Sequence, residues 1–167
     1  IGDAQTCKFT VTAAKSVCAP TVTGTVVDTN ETTIALTGDK NTLVRGFSNA
    51  KCTITATAKN SASIVAKSIG GTAVTGSTKT INGVTTGKIA FKATDSRGYT
   101  RTTTVSKTLV EYIELTATAI CTRDDPTSGA ATLYVTGNYF KGSFGSKSNS
   151  LIIKYRIGSS GDWITAA

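Results

Sequence analysis

Apolar and polar residues alternate one by one in several short runs, the period-two signature of strands with one buried face. In Lys51–Lys59, Cys52, Ile54, Ala56 and Ala58 share one face. Lys51, Thr53, Thr55, Thr57 and Lys59 share the other. In Leu151–Ile157, Leu151, Ile153, Tyr155 and Ile157 lie together, opposite Lys154 and Arg156. Shorter versions of the pattern predict strands at Phe9–Ala13, Ile34–Leu36, Ile89–Ala93 and Leu133–Val135. No stretch sustains a helical period. Turn residues separate the runs. Asn82-Gly83 suits a tight hairpin because both positions tolerate positive φ. Asp95-Ser96-Arg97-Gly98 joins a strand ending at Thr94 to one running from Tyr99 to Val110. Asp28–Glu31, Gly38–Asn41 and Ser159–Asp162 are predicted turns as well. Short strands at this spacing predict an all-β chain of tandem immunoglobulin-like β-sandwiches.

A recurrence sets the expected domains. Val27-Asp28 with Ile34–Gly38 corresponds to Cys121 and Asp124 with Leu133–Gly137, about 100 positions later. Ser48-Asn49 precedes one predicted strand as Ser148-Asn149 precedes another. Residues 1–18 are read as the last strand of a preceding module, 19–111 as one immunoglobulin-like sandwich, and 112–167 as a second module, cut short or completed by further sequence. Pro20 marks the first junction.

Composition narrows the chemistry. Threonine makes up about a fifth of the chain, and β-branched residues suit a pleated surface. With no His, histidine triads, imidazole metal ligands and imidazole proton shuttles are excluded. There is no Met, and the sequence starts at Ile1, which suggests a processed product or a fragment. The net charge of +8 is spread over single Lys and Arg residues without interleaved aromatics, so a nucleic-acid surface is not expected. No apolar run reaches the length of a membrane span. Cys7, Cys18, Cys52 and Cys121 form no CxxC pair. They are read as small buried hydrophobes with free thiols, Cys52 and Cys121 at inward strand positions.

Three stretches carry a resemblance: Asp39–Ala50, Ala93–Tyr99, and Gly137–Gly145 with Ser148–Tyr155. The most specific parts are Asn138–Gly145, the Ser148-Asn149 pair and Trp163. They resemble a family of siphophage minor structural proteins, found in tails or baseplates of phages that infect Gram-positive bacteria. The resemblance implies a virion tail protein, made in the host cytoplasm, with tandem immunoglobulin-like modules and a part in adsorption. It carries over no catalytic residue. Gly46 departs from the family pattern, in which a bulkier aromatic residue is usual.

Candidate chemistry is sparse. Asp124-Asp125 with Asp28 or Glu31 could make a carboxylate pair or a calcium site, but no DxDxDG-type loop is present, and Asp124-Asp125-Pro126 reads more simply as a turn. No phosphate loop occurs around Gly70-Gly71 or Gly137–Gly145. Asn30-Glu31-Thr32 matches a glycosylation acceptor, accidental in a protein made in bacterial cytosol. The candidate ligand-binding residues are Tyr139, Phe140, Phe144 and Trp163, as exposed rings for a glycan or partner protein. The competing reading has Phe140 and Phe144 pinning their loop to the core, Tyr139 capping it, and Trp163 packing in a core or at a strand edge.

The expectation is a non-enzymatic phage tail or baseplate protein, without cofactor or metal, acting as a rigid spacer or adhesion module. Its partners would be other tail or baseplate proteins and host wall polysaccharide or teichoic acid, with a homo-oligomer in the particle left open. A bacterial surface adhesin or stalk repeat, and the non-catalytic binding module of a wall hydrolase, are the alternatives.

Overall fold

The computed structural model describes residues 6–10, 12, 14–123 and 125–166. The chain is all-β, with strands as its main element and only two short helices among the described residues. In chain order the elements are α1 (Lys15–Cys18), β1 (Thr21–Asp28), α2 (Glu31–Thr37), β2 (Thr42–Val44), β3 (Ala50–Thr57), β4 (Ile64–Ile69), β5 (Thr72–Val74), β6 (Thr78–Ile81), β7 (Lys88–Asp95), β8 (Thr100–Ser106), β9 (Thr108–Val110), β10 (Thr116–Thr122), β11 (Thr132–Asn138), β12 (Ser143–Phe144), β13 (Lys147–Ser148), β14 (Lys154–Tyr155) and β15 (Ile164–Thr165). Two compact units share this chain. The first takes Ile1–Val27, Lys51–Ile81 and Gly87–Lys107, and the second takes Asp28–Ala50, Asn82–Thr86 and Thr108–Ala167. The boundaries read from the recurrence (1–18, 19–111, 112–167) instead follow the chain in order. Within 1–18, Phe9, Thr10 and Thr12 lie in no strand, while Val11 and Ala13 fall outside the described residues.

The first unit is built from a four-stranded antiparallel sheet ordered β5-β4-β7-β8 and the β1-β3-β6 sheet. The alternation along β3 and β7 does what the pattern predicts. Cys52 and Ile54 are buried on β3, and Ile89, Phe91, Ala93 and Asp95 on β7. Gly24 of β1 lies directly against the Phe91 ring: a Cβ there would sit 2.4 Å from the nearest ring carbon. The absence of a side chain lets β1 approach β7, and the fully buried ring fills the space.

The turn between β7 and β8 is closed by one carboxylate. Asp95, 1% exposed, accepts the backbone N–H groups of Arg97 and Tyr99, each at 3.0 Å, and Nη2 of Arg97 at 2.7 Å. Burial raises its pKa, but the Arg97 hydrogen bond, the two amides and the nearby positive charge together hold it below the ordinary aspartate value. The same Nη2 donates to the carbonyls of Cys18 and Lys59, both at 3.0 Å, so one guanidinium joins three segments of the unit. Arg97→Ala is expected to lower the melting temperature by several degrees. Arg97→Lys should recover only part of it, because a single ammonium does not reproduce the planar fork. Thermal unfolding followed by circular dichroism measures both.

The second unit departs most from the predicted pattern. The strand expected at Ile34–Leu36 is instead the helix α2. Asn30 Oδ1 caps it by accepting Thr32 N–H at 3.0 Å, Glu31 sits in its first turn, and Gly38 ends it with φ 72°. These terminal signals outweigh the strand preference of Thr32, Thr33 and Ile34. Thr33 and Thr37, one turn apart, face inward. Thr33 Oγ1 donates to Asp28 Oδ2 at 2.5 Å, and Thr37 Oγ1 to the Thr33 carbonyl at 2.9 Å. Its counterpart in the recurrence, Leu133–Gly137, lies in strand β11. β2 and β9 pair in parallel, Val44 opposite Val110. β10 and β11 form an antiparallel hairpin whose residues are all exposed. Cys121, expected inside, is therefore on the surface, opposite Leu133 in the hairpin. Of the run Leu151–Ile157 only Lys154 and Tyr155 are in a strand.

Candidate functional site

An open cavity of about 540 Å³ lies wholly within the second unit. α2 contributes Thr32, Thr33 and Leu36, β2 contributes Val44, and the turn after β2 contributes Phe47. The segment after β9 brings Tyr112, Ile113 and Leu115. The segment from β11 through β13 and beyond brings Tyr139, Phe140, Phe144 and Leu151, with Asn149 and Ser150 beside them. Its base is a small core: Val44, Val110 and Phe144 are buried, with Leu36, Tyr112 and Phe140 packed against them.

Four rings form a continuous chain. Phe47 and Tyr112 meet edge to face at 5.2 Å, and Tyr112 and Phe140 at 5.7 Å. Phe144 lies tilted, 5.7 Å from Tyr112 and 5.0 Å from Phe140. Edges point at neighbouring faces, the favourable arrangement for aromatic quadrupoles. The rings therefore close on one another instead of lying in one plane as a sugar platform would.

Polar side chains fix the backbone that carries the rings. Asn30 Nδ2 donates to the Phe47 carbonyl at 2.8 Å, so one residue both caps α2 and fixes Phe47. Asn149 Nδ2 donates to the Phe140 carbonyl at 2.6 Å, and Asn149 N–H to the Gly142 carbonyl at 3.2 Å. Phe144 pairs with Lys147 across β12–β13, and Lys147 Nζ reaches the Ala35 carbonyl at 2.7 Å. Gly145, at φ 61°, permits this turn, and a Cβ on it would meet the Thr37 carbonyl oxygen at 2.4 Å.

Asp28 anchors the part of the wall made by α2 and the turn after β2. Its Oδ1 accepts the backbone N–H groups of Asn30 and Asn49, each at 3.0 Å, and its Oδ2 accepts the hydroxyls of Thr33 and Ser48, each at 2.5 Å. Ser48 Oγ in turn accepts Val44 N–H at 2.8 Å. Burial raises the Asp28 pKa, but the bonds from Ser48, Thr33, Asn30 and Asn49 outweigh it and hold the pKa below the ordinary value. An exposed ion pair of Arg45 and Glu111 flanks β9 and adds little in water.

The structure brings together three of the four candidate ligand residues. Phe144 is buried, while Tyr139 and Phe140 are half-buried in the cavity wall. Trp163 is not among the lining residues. It is 59% exposed, with the Arg156 guanidinium 5.1 Å from its ring centroid, so it packs in no core. Phe47, Tyr112, Leu36, Asn30 and Asn149 belong to the site but do not emerge from the sequence. Asn149 carried a signal in the repeated Ser-Asn pair, and Phe47 a weaker one beside the first copy. Of the carboxylates considered for a metal, Asp28 is committed to its four donors. Asp125 closes its own turn by accepting Thr127 N–H at 2.8 Å, and Asp124 lies outside the described residues. Asn149→Ala should loosen the Phe140 loop by about 1 kcal/mol. In hydrogen exchange the amide at position 149 should then exchange about fivefold faster.

Comparison of the chain with protein-family models, with curated proteins and with solved structures finds no match.

Proposed function

We propose that the chain is a non-catalytic structural and binding module of a phage tail or baseplate, built on immunoglobulin-like sandwiches. The observation that carries the binding reading is the aromatic cup. Among the described residues its lining consists of apolar side chains, neutral amides and hydroxyls, and the tyrosine phenols are the only ionisable groups in it. Such a lining favours holding a group over transferring protons or activating a nucleophile. The spacer reading is supported by the buried pins at Asp28 and Asp95, which lock the turns around them. The tail assignment rests on the resemblance of Asn138–Gly145, Ser148-Asn149 and Trp163, and part of that resembling segment lines the cup. Several copies in one particle would raise effective concentration without tight single sites.

Antibody raised against this chain, applied to purified virions in the electron microscope, tests the assignment. Label at the distal tail is the expected result. Particles without label, with the antigen in the bacterial envelope instead, would reassign the chain to a cell-surface stalk.

A further inference from the structure

We propose that the cup of the second unit binds an uncharged small molecule with an apolar ring or alkyl body, which deepens the binding-module reading and rests on it. The excess of positive charge suggests an anionic ligand, but the cup points elsewhere. The chain carries 18 Lys and Arg and 10 Asp and Glu residues, and none of the described ones lines the cavity. A charged ligand entering it would lose hydration and meet no countercharge. The size, about 540 Å³, lies in the range of small-molecule sites.

Apolar residues dominate the buried part of the lining, where the hydroxyl of Thr33 is already given to Asp28. Leu36, Val44, Phe140 and Phe144 form an apolar base, half or fully buried. Thr32, Asn149 and Ser150 are exposed at the mouth. Asn149 Nδ2 is spent on the Phe140 carbonyl, so its Oδ1, the hydroxyls of Thr32 and Ser150 and the phenols of Tyr112 and Tyr139 are among the neutral polar groups of the lining. Tilted rings offer no flat stacking surface. A compact apolar group set among Tyr112, Phe140 and Phe144 matches that lining, and the exposed polar residues would accept the ligand's polar end.

The test is a fluorescence titration of the full chain with N-phenyl-1-naphthylamine, an uncharged apolar probe. The expected result is saturable binding at a single site, with the same affinity at low and high sodium chloride, since no charge is screened. Leu151→Asp and Leu115→Asp each place a charge on the lining at a position already exposed in the native chain. Each should weaken binding about tenfold by removing apolar contact. Ile120→Asp replaces an exposed apolar residue of β10 that is not in the lining and should leave binding unchanged. Absence of saturable binding, a strong fall in affinity with salt, or equal loss in Ile120→Asp and the two lining variants would overturn the proposal. Virion labelling does not depend on the cup, so a failure here leaves the tail assignment to be judged by its own experiment.

Discussion

Gly24→Val is expected to lower the melting temperature by about 10 °C. A Cβ at position 24 would lie 2.4 Å from the Phe91 ring, far inside contact distance, and two further ring atoms are within 2.6 Å. Phe91 is fully buried and Ile69, Ile89 and Ala93 near it in the same sheet are buried too, so the ring has little room to turn away. Overpacking of this kind costs on the order of 3 kcal/mol, which for a chain of this size corresponds to the stated shift. Gly76→Ala is the matched comparison, because a Cβ there meets nothing within 4 Å. It should be neutral or slightly stabilising, through the less flexible unfolded chain. Shrinking the ring in the double variant Gly24→Ala, Phe91→Leu should make the two substitutions less than additive. Additive losses in thermal unfolding would show that ring and backbone do not compete for the same space.

Asp28→Ala is expected to destabilise the second unit by about 3–5 kcal/mol, since it strands two amides and two hydroxyls behind the cup. Asp28→Asn should cost about 2 kcal/mol. Its oxygen can keep the Asn30 and Asn49 amides, but its NH₂ faces two hydroxyls that must turn, and Ser48 Oγ already accepts Val44 N–H. The pH dependence follows from the lowered pKa. A carboxylate whose folded pKa is below its unfolded value binds fewer protons when folded. Its stabilisation is complete above the ordinary value of 3.8 and is lost as pH falls through the folded pKa. Denaturant unfolding at neutral pH and again below pH 3.8 measures this. The difference between wild type and Asp28→Asn should narrow at the acidic end. A constant difference across that range would mean that the carboxylate charge is not what the four donors hold. The two tests read different units: Gly24 and Phe91 lie in the first, Asp28 and its donors in the second.

Much of the first unit was legible in the pattern of side chains. Alternation placed β3 and β7 because each buries one face against a core, and a two-residue period then has to show in the residues themselves. The Asp95–Gly98 turn was legible because its chemistry is local: Asp95 accepts from amides two and four residues on. The α2 error has the opposite cause. Thr-Thr-Ile reads as strand, and only the Asn30 cap, the Gly38 terminus and the reach of Thr33 to Asp28 turn it into helix. The hairpin β10–β11 kept the alternation but has both faces exposed, so the period there said nothing about burial and misplaced Cys121.

The candidate site divides in the same way. Tyr139, Phe140 and Phe144 were visible as a group because they are close in the chain and all aromatic. Phe47 and Tyr112 stand far apart and join the same ring chain only because β2 and β9 pair side by side. By itself, the order of residues determined an all-β chain with sharp polar turns, since strand period and turn chemistry depend on near neighbours. The tertiary structure alone decided that Asp28 ties α2 to the turn after β2, that residues from α2, β2 and the segment after β9 complete the cup and that Trp163 stands outside it. Hydrogen bonds and ring contacts between distant segments depend on where the backbone brings them, and no local pattern encodes that distance.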